Sequence, residues 1–370
     1  MAVVLSEERL NGHNRSLGHA RSRFRQRSRR LVEDGRDRQD RVMNGLSARP
    51  LILLASHTED PHCAAVEQAL SRRNYRCFRL NTNAFPEQVR VTLTIGSRFE
   101  GVIDATPCGG GIVQLAEVQA ALYRRPEPPR YTAFLTPEHS KFALSETRAC
   151  LDSIYNALQG RWLSDPYAML RARDKALQLS TALAVGLKVP ETYITNCPES
   201  VPKGDSVIYK TLRSSAIETE LQNNSLGIFT TILTEDLRTH LDQLRVAPGI
   251  FQRYIEKEYE LRITVCGSRF FACQIDSQSH NDAKIDWRAV EPSTLAHTMV
   301  SLPDEVVANL RALLLALNIR FGCIDMIVTP SGEYVLLEVN PNGQWLWIEH
   351  ITGAPIADAI AEELGIIATS

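Results

Sequence analysis

The sequence predicts a mixed protein, an α/β unit followed by an α+β body. Three observations carry this expectation. Residues 50–95 alternate strand, helix and strand, as a small parallel unit does. Residues 137–185 hold two stretches of helical periodicity. From residue 250 onward strand patterns dominate, and the last two are joined by a tight turn.

The elements follow in order. A strand is expected at 50–55, an unbroken apolar run. A helix over 60–73 places Ala64, Ala65, Ala69 and Leu70 on one face. A second strand is expected at 76–80, a turn at 81–86 and a third strand at 89–95. Gly109-Gly110-Gly111 has neither dinucleotide-loop spacing nor a following Lys-Ser/Thr, so it reads as a turn. The unit's last strand is expected at 122–126, and Pro126, Pro128 and Pro129 mark its end. A long helix over 137–160 rests on the spacing of Phe142, Leu144, Cys150, Leu151, Ile154, Tyr155 and Leu158. A second helix, 174–185, stops at Gly186. Strands are expected at 191–195 and 206–210, a helix near 235–244, then strands at 250–255, 259–266 and 270–275. A helix over 303–317 leads to strands at 321–328 and 334–339, joined by Pro330-Ser331-Gly332. A helix over 355–364 closes the chain, and no internal repeat is visible.

Composition bounds the function. The 370 residues, 44% hydrophobic and 23% charged, suit a globular protein of two or three domains. No apolar run nears the ~18 residues that a bilayer span requires. The eight cysteines form no CxxC pair and sit at mostly apolar positions. They read as buried reduced thiols of a cytoplasmic protein, not as disulfides or a zinc site.

Charge is unevenly spread. Residues 1–49 hold twelve Arg, no Lys and six acids, while the body is mildly acidic. Val3, Leu10, Leu17, Phe24 and Leu31 recur every seven residues without a second apolar position, which argues against a coiled coil. The basic arm 1–48 reads as a disordered extension, because it lacks the apolar residues to build a core. Binding to nucleic acid or acidic peptide, and an organelle transit segment, are the functional alternatives. A twin-arginine signal at Arg29-Arg30 is excluded, since no apolar stretch follows.

The most informative string is Leu336-Leu337-Glu338-Val339-Asn340-Pro341-Asn342-Gly343. Glu338 and Asn340, two apart on a strand, share a face. Asp325 lies in the preceding strand of the same hairpin. Asp, Glu and Asn offer hard oxygens, which Mg²⁺ takes when phosphate and water complete its octahedron. The plain alternative is a hairpin with a solvated polar face. Glu338 sits in an otherwise apolar run, where an unpaired charge is costly. Lys175 opens the helix 174–185 and Lys210 ends the strand 206–210. Each alone reads as a surface residue; brought together they supply point charges for a triphosphate.

The order Lys175, Lys210, Gln252-Arg253-Tyr254-Ile255, Glu260-Leu261-Arg262, Asp325, Glu338-Val339-Asn340 resembles the ATP-grasp superfamily of carboxylate-amine ligases. The run from Leu337 through Asn340-Pro341-Asn342-Gly343-Gln344-Trp345 to Glu349 is narrower. With Trp162, Asp174-Lys175, Gln178-Leu179 and Asp286-Trp287-Arg288, it resembles the ATP-grasp maturases of ribosomal peptides, the microviridin-type or graspetide macrocyclases. The resemblance covers residues 50–365 and misses the arm.

This resemblance implies a pre-ATP-grasp α/β domain at 49–130 and an ATP-grasp domain at 131–370. The latter divides into a helical linker and lid lobe, 131–250, and a catalytic lobe, 251–370. It implies that Lys175 and Lys210 hold phosphates. Gln252 to Ile255 would form the hinge, with backbone at Tyr254 and Ile255 on adenine, and Glu260 would take the ribose. Arg262 and Arg288 would face the γ-phosphate and acyl phosphate, and Asp325, Glu338 and Asn340 would bind Mg²⁺. Arg253 stands where many relatives carry Glu, and Arg213-Ser214-Ser215-Ala216 where Gly-rich lid loops are common. Asp286 and Glu349 are candidates for a base.

The implied reaction activates a peptide side-chain carboxylate as an acyl phosphate, which a hydroxyl or amine then attacks to close a ring. The implied cofactors are ATP and Mg²⁺. The implied partners are a ribosomal precursor peptide with a leader segment and a second copy in a homodimer, without membrane or nucleic acid. Two other readings compete. One is a ligase for free amino acids or a protein tail, with the same ATP site. The other is a non-catalytic nucleotide or nucleic-acid binder, against which the complete Asp325, Glu338 and Asn340 set argues.

Overall fold

The computed structural model describes residues 49–131, 135–204, 206–213, 216–218, 225–227 and 230–370. The arm 1–48 and Ser214-Ser215 of the lid loop lie outside the described residues.

The N-terminal unit comprises β1 (Leu51–Ser56), α1 (Pro61–Arg72), β2 (Arg76–Asn81), β3 (Arg90–Ile95), β4 (Phe99–Asp104), β5 (Ile112–Gln114) and β6 (Val118–Tyr123). β1, β2 and β6 form a parallel sheet in the order β2-β1-β6. β1 is the middle strand and is buried throughout, as its unbroken apolar run requires. Asp60 caps α1, accepting the His62 N–H at 3.0 Å, and Pro61 takes the first turn.

The third expected strand pairs elsewhere. β3, β4 and β5 make a separate antiparallel sheet, and β4 and β5 were not foreseen. The triple glycine is the turn between them, with Gly109 at φ 81°. β6 begins four residues before the expected strand and ends at Tyr123, so Arg124 and Arg125 leave the sheet.

Helices α2 (Pro137–Ala157), α3 (Pro166–Arg171) and α4 (Lys175–Ala184) follow. α3 was not expected. α4 ends before Gly186, which takes φ 87° as its sequence position suggested.

The middle lobe holds β7 (Thr192–Thr195), β8 (Val207–Lys210), β9 (Ala216–Glu218), β10 (Ser225–Gly227), β11 (Thr231–Ile232), α5 (Glu235–Arg238) and β12 (Gly249–Arg253). One sheet runs β11-β8-β12-β7, and β9-β10 is a separate hairpin. The helix expected near 235–244 is a four-residue α5 followed by a tighter turn at Leu241–Arg245.

The C-terminal lobe holds β13 (Tyr259–Cys266), β14 (Arg269–Ile275), β15 (His297–Val300), α6 (Asp304–Ala316), β16 (Phe321–Val328), β17 (Tyr334–Asn340), α7 (Leu346–Thr352) and α8 (Ile356–Thr369). The antiparallel sheet runs β15-β14-β13-β16-β17. The edge strand β15 and the short α7 were unforeseen, and α8 continues five residues past the expected end.

α8 is last in the chain but completes the first core. Its Ile356, Ile360 and Leu364 pack in one cluster with Ile52, Leu54, Val66, Ala69 and Leu70. A Cβ on Gly365 would meet the Tyr75 hydroxyl at 2.3 Å, so α8 needs a glycine where it crosses this unit. All eight cysteines are free. Four are buried, but Cys77 and Cys108 are exposed, contrary to the expectation for apolar positions.

Ile360 is 1% exposed in this shared core. Ile360→Ala should destabilise the protein by about 2–5 kcal/mol. Urea unfolding should show a lower midpoint with an unchanged slope.

Candidate active site

The floor of the site is the β13-β16-β17 part of the C-terminal sheet. Register places Arg262 opposite Asp325, and Asp325 opposite Glu338. The pairing of β16 with β17 shifts between Asp325 and Met326, so Leu337 is the extra residue of a bulge. The bulge re-aims the strand. Leu336 stays in the core, while Leu337, Glu338 and Asn340 are half-buried on the open side.

Three side chains converge there. The Asn340 Nδ2 donates to Asp325 Oδ2 at 3.0 Å and to Glu338 Oε1 at 2.8 Å. Lys175, the first residue of α4, donates through Nζ to Glu338 Oε2 at 2.5 Å. Arg262 Nη1 donates to both Asp325 oxygens at 2.7 and 2.8 Å, and its Nη2 to the Gln344 carbonyl at 3.0 Å.

α4 is fixed to this floor by Gln178. Its Nε2 donates to the Val339 carbonyl at 2.7 Å, and its Oε1 accepts the Val339 N–H at 3.0 Å. A fully buried amide thus closes the free edge of β17 as another strand would.

The electrostatics are tense. Burial and the neighbouring Glu338 push Asp325 above the usual carboxylate range despite Arg262. Burial also acts against Glu338, but Lys175 outweighs it and holds the carboxyl below its ordinary value. Burial pushes Lys210 down, Arg288 adds to the shift, and Glu338 opposes it. Two carboxylates sharing one amide suit a divalent cation. Among the described residues no group of three His, Cys, Asp or Glu is placed to hold a metal, so the set here is two carboxylates and an amide.

An open cleft lies between the middle and C-terminal sheets. Ile208, Ile327 and Leu337 give it an apolar part. Gln252 is buried there; its Nε2 donates to Thr192 Oγ1 at 2.9 Å and its Oε1 has no protein partner. The Tyr254 N–H is already given to the Ser206 carbonyl at 2.8 Å, which leaves Ile255 as the next backbone position on the cleft wall. Glu260 pairs with Lys257 at 2.6 Å, and Lys257 also donates to the Ile285 carbonyl at 3.1 Å. Burial raises Glu260 above its ordinary value against the pull of Lys257. The sequence analysis does not single out Lys257, which stands between Glu256 and Glu258.

Lys210 and Arg288 face the charged part of the cleft with Asp325 and Glu338. Arg288 is bound to Asp286 through Nε at 2.8 Å and Nη2 at 2.7 Å. Asp286 also accepts the Thr230 N–H at 3.1 Å. Arg262 does not line the cleft; it lies against Asp325. Glu349, considered as a base, accepts the Ala357 N–H at 2.8 Å and is used in the first turn of α8. Arg253, also on the cleft wall, pairs with Glu191 and donates to the Lys203 carbonyl.

Comparison with known proteins agrees with this architecture. Residues 51–171 match the MvdD pre-ATP-grasp domain. No curated protein matches the chain in sequence. The macrocyclase MdnC of Microcystis aeruginosa MRC, solved with precursor peptide MdnA, is 28% identical with a TM-score of 0.76; the match covers 86% of this chain and 100% of that one. A RiPP-associated ATP-grasp ligase of Chryseobacterium gregarium, solved with ADP and a leader and core peptide, is 28% identical with a TM-score of 0.76, over 85% of this chain and 96% of that one. The macrocyclase MdnB of Microcystis aeruginosa MRC is 28% identical with a TM-score of 0.69, over 85% and 98%. The fold is the ATP-grasp fold with a pre-ATP-grasp domain. No helix of the described residues is long and apolar enough to cross a membrane.

Burial alone would raise Asp286, but the hydrogen bonds and charge of Arg288 outweigh it and hold the carboxyl at about 2. A depressed carboxyl stabilises the fold above its unfolded value and loses that contribution as pH falls toward its folded value. Asp286→Asn should therefore cost most stability near neutral pH. Its difference from wild type in thermal midpoint should narrow as pH is lowered below about 4.

Proposed function

We propose that the chain is an ADP-forming ligase that activates side-chain carboxylates of a ribosomal precursor peptide and closes ester or amide macrocycles. The carrying observation is that Asp325 and Glu338, bridged by Asn340, line one cleft with Lys210 and Arg288, and that this cleft has an apolar part. It lies in a fold shared over most of the chain with peptide macrocyclases.

The nucleotide base takes the apolar part beside Gln252, Tyr254 and Ile255, and Glu260 takes the ribose. The unpartnered Gln252 Oε1 supplies an acceptor there. Lys175 and Lys210 meet the phosphates. Asp325, Glu338 and Asn340 would hold Mg²⁺, which when bound neutralises phosphate charge and orients the γ-phosphoryl group.

Carboxylate activation follows from the charges. The γ-phosphoryl group passes from ATP to a peptide carboxylate oxygen, and ADP leaves. The side chain is then an acyl phosphate, whose leaving group is phosphate rather than oxide. A Ser/Thr hydroxyl or Lys amine of the same peptide attacks the acyl carbon, phosphate departs and the nucleophile's proton is lost. Arg288, tethered by Asp286, is placed to stabilise the phosphoryl charge. A leader segment outside the core holds the flexible peptide for this attack. The eight free cysteines fit a reducing cytoplasm.

The test is a reaction with ATP, Mg²⁺ and the peptide encoded beside this gene. Mass spectrometry should show the loss of one water per ring, and nucleotide analysis should show ADP and phosphate rather than AMP. ADP release with single amino acids, and an unchanged peptide mass, would replace this reading with an amino-acid ligase. In the same assay Glu338→Gln should abolish ADP formation while keeping the wild-type thermal transition. Normal turnover in that variant would remove Glu338 from the metal site.

A further inference from the structure

The loop that follows β17 is held from a different domain. Its residues, Asn340-Pro341-Asn342-Gly343-Gln344-Trp345, run from the sheet into α7. Arg262 grips the loop from the sheet side through the Gln344 carbonyl. Arg124, just past β6 of the N-terminal unit, grips it from the other. Its Nη1 donates to the Asn342 carbonyl at 2.7 Å and to Asn342 Oδ1 at 2.8 Å. His62 of α1 accepts the Trp345 N–H at 3.3 Å through Nε2, and the two rings meet edge to face at 5.2 Å.

Arg124 is built in, at 2% exposure. Its counter-charge is Asp60, whose Oδ2 lies 3.8 Å from Arg124 Nε and accepts Ser56 Oγ at 2.7 Å. Burial brings Arg124 down to about 10, which leaves it charged at neutral pH. Burial and the charge of Arg124 hold His62 below its ordinary value, so its Nε2 stays an acceptor.

The loop has no slack between these anchors. A Cβ on Gly343 would lie 2.3 Å from the Cys323 Cβ, so the backbone is pressed onto β16. The Gly343 N–H donates to the Asn340 carbonyl at 3.0 Å, so Asn342 lies inside a turn that Asn340 opens.

We infer that Arg124 is a positioning residue for the metal site, acting through Asn342 to set the Asn340 side chain between Asp325 and Glu338. The pre-ATP-grasp domain then takes part in the chemistry of the other domain. This rests on the metal reading above. Groups hydrogen-bonded directly to a metal ligand are typically worth about 10- to 100-fold in metal affinity, and Arg124, acting through Asn342, is placed at the low end of that range.

Arg124→Lys keeps a charge opposite Asp60 but cannot reproduce the guanidinium's geometry toward Asn342. The probe is Mn²⁺, titrated in the presence of ADP and followed by loss of the free-ion EPR signal. In Arg124→Lys the Mn²⁺ dissociation constant should rise about 10-fold or more. ADP binding in EDTA, measured by calorimetry, should stay unchanged. An unchanged Mn²⁺ affinity overturns the inference. So does an equal loss of metal-free ADP binding, which marks a general lesion of the cleft. Wild-type protein that takes up no Mn²⁺ with ADP removes the metal reading itself, and the inference with it. If Arg124→Lys does not fold, Asn342→Ala decides: weaker Mn²⁺ with unchanged ADP binding supports the inference, and unchanged Mn²⁺ affinity overturns it.

Discussion

Two carboxylates face each other across neighbouring strands, and much of the molecule is arranged around that fact. Asp325 and Glu338 are a direct cross-strand pair. Like charges in that relation are destabilising, and burial makes them more so. The chain answers with partners from three separate segments. Arg262 comes from the strand on the other side of Asp325, Lys175 from the start of α4, and Asn340 from the end of β17. Of these only Asn340 is near either carboxylate in sequence. The charge pair therefore requires tertiary structure before it can exist, and each partner brings its own element into register.

α4 shows how far the requirement reaches. For Lys175 to meet Glu338, the helix must lie along the outer edge of β17. Gln178 makes that edge contact a pair of backbone-like hydrogen bonds to Val339. The backbone of Leu336 is met in the same way, by the Lys188 carbonyl at 2.8 Å. An exposed edge strand is thereby covered, and the carboxylate is paired, by one stretch of chain. The same economy appears at the other end of the sheet floor, where the loop after Asn340 is clasped between Arg262 and Arg124.

The long buried strands were legible because their residues say one thing at every position. β13 and β16 have the bounds that their apolar runs suggested, Tyr259–Cys266 and Phe321–Val328. Glu338 was also visible, since a carboxylate in an apolar run is anomalous by itself. What the sequence did not carry was anything set by a partner strand. β4, β5 and β15 are half-exposed strands or edges whose short patterns resemble loops. The bulge at Leu337 leaves no mark in composition, because two apolar residues in a row fit a buried strand equally well. Lys257 and Arg124 look like surface charges until tertiary packing covers them, and Glu349 looks available until α8 takes its carboxylate.

Lys210 shows why a site of this kind needs two lobes. It hangs from β8 in the middle sheet, yet Glu338 in the other sheet is among the charges that act on it. Burial alone would make it a poor cation, and Arg288 nearby makes this worse. Across the cleft the situation is mirrored, with Asp325 pushed above its ordinary value by burial and by Glu338. Arg262 and Lys175 pair the two carboxylates and Asp286 pairs Arg288, yet burial still acts against the charged forms of Lys210 and Asp325. On the proposed reading a polyphosphate with a divalent cation would be met from both walls, the anion by Lys210 and Arg288 and the cation by the carboxylates. The apolar surface at Ile208, Ile327 and Leu337 offers no such relief to a charged group, so on the proposed reading it is left to the base. The orientation proposed for the nucleotide then follows from where charge can be buried.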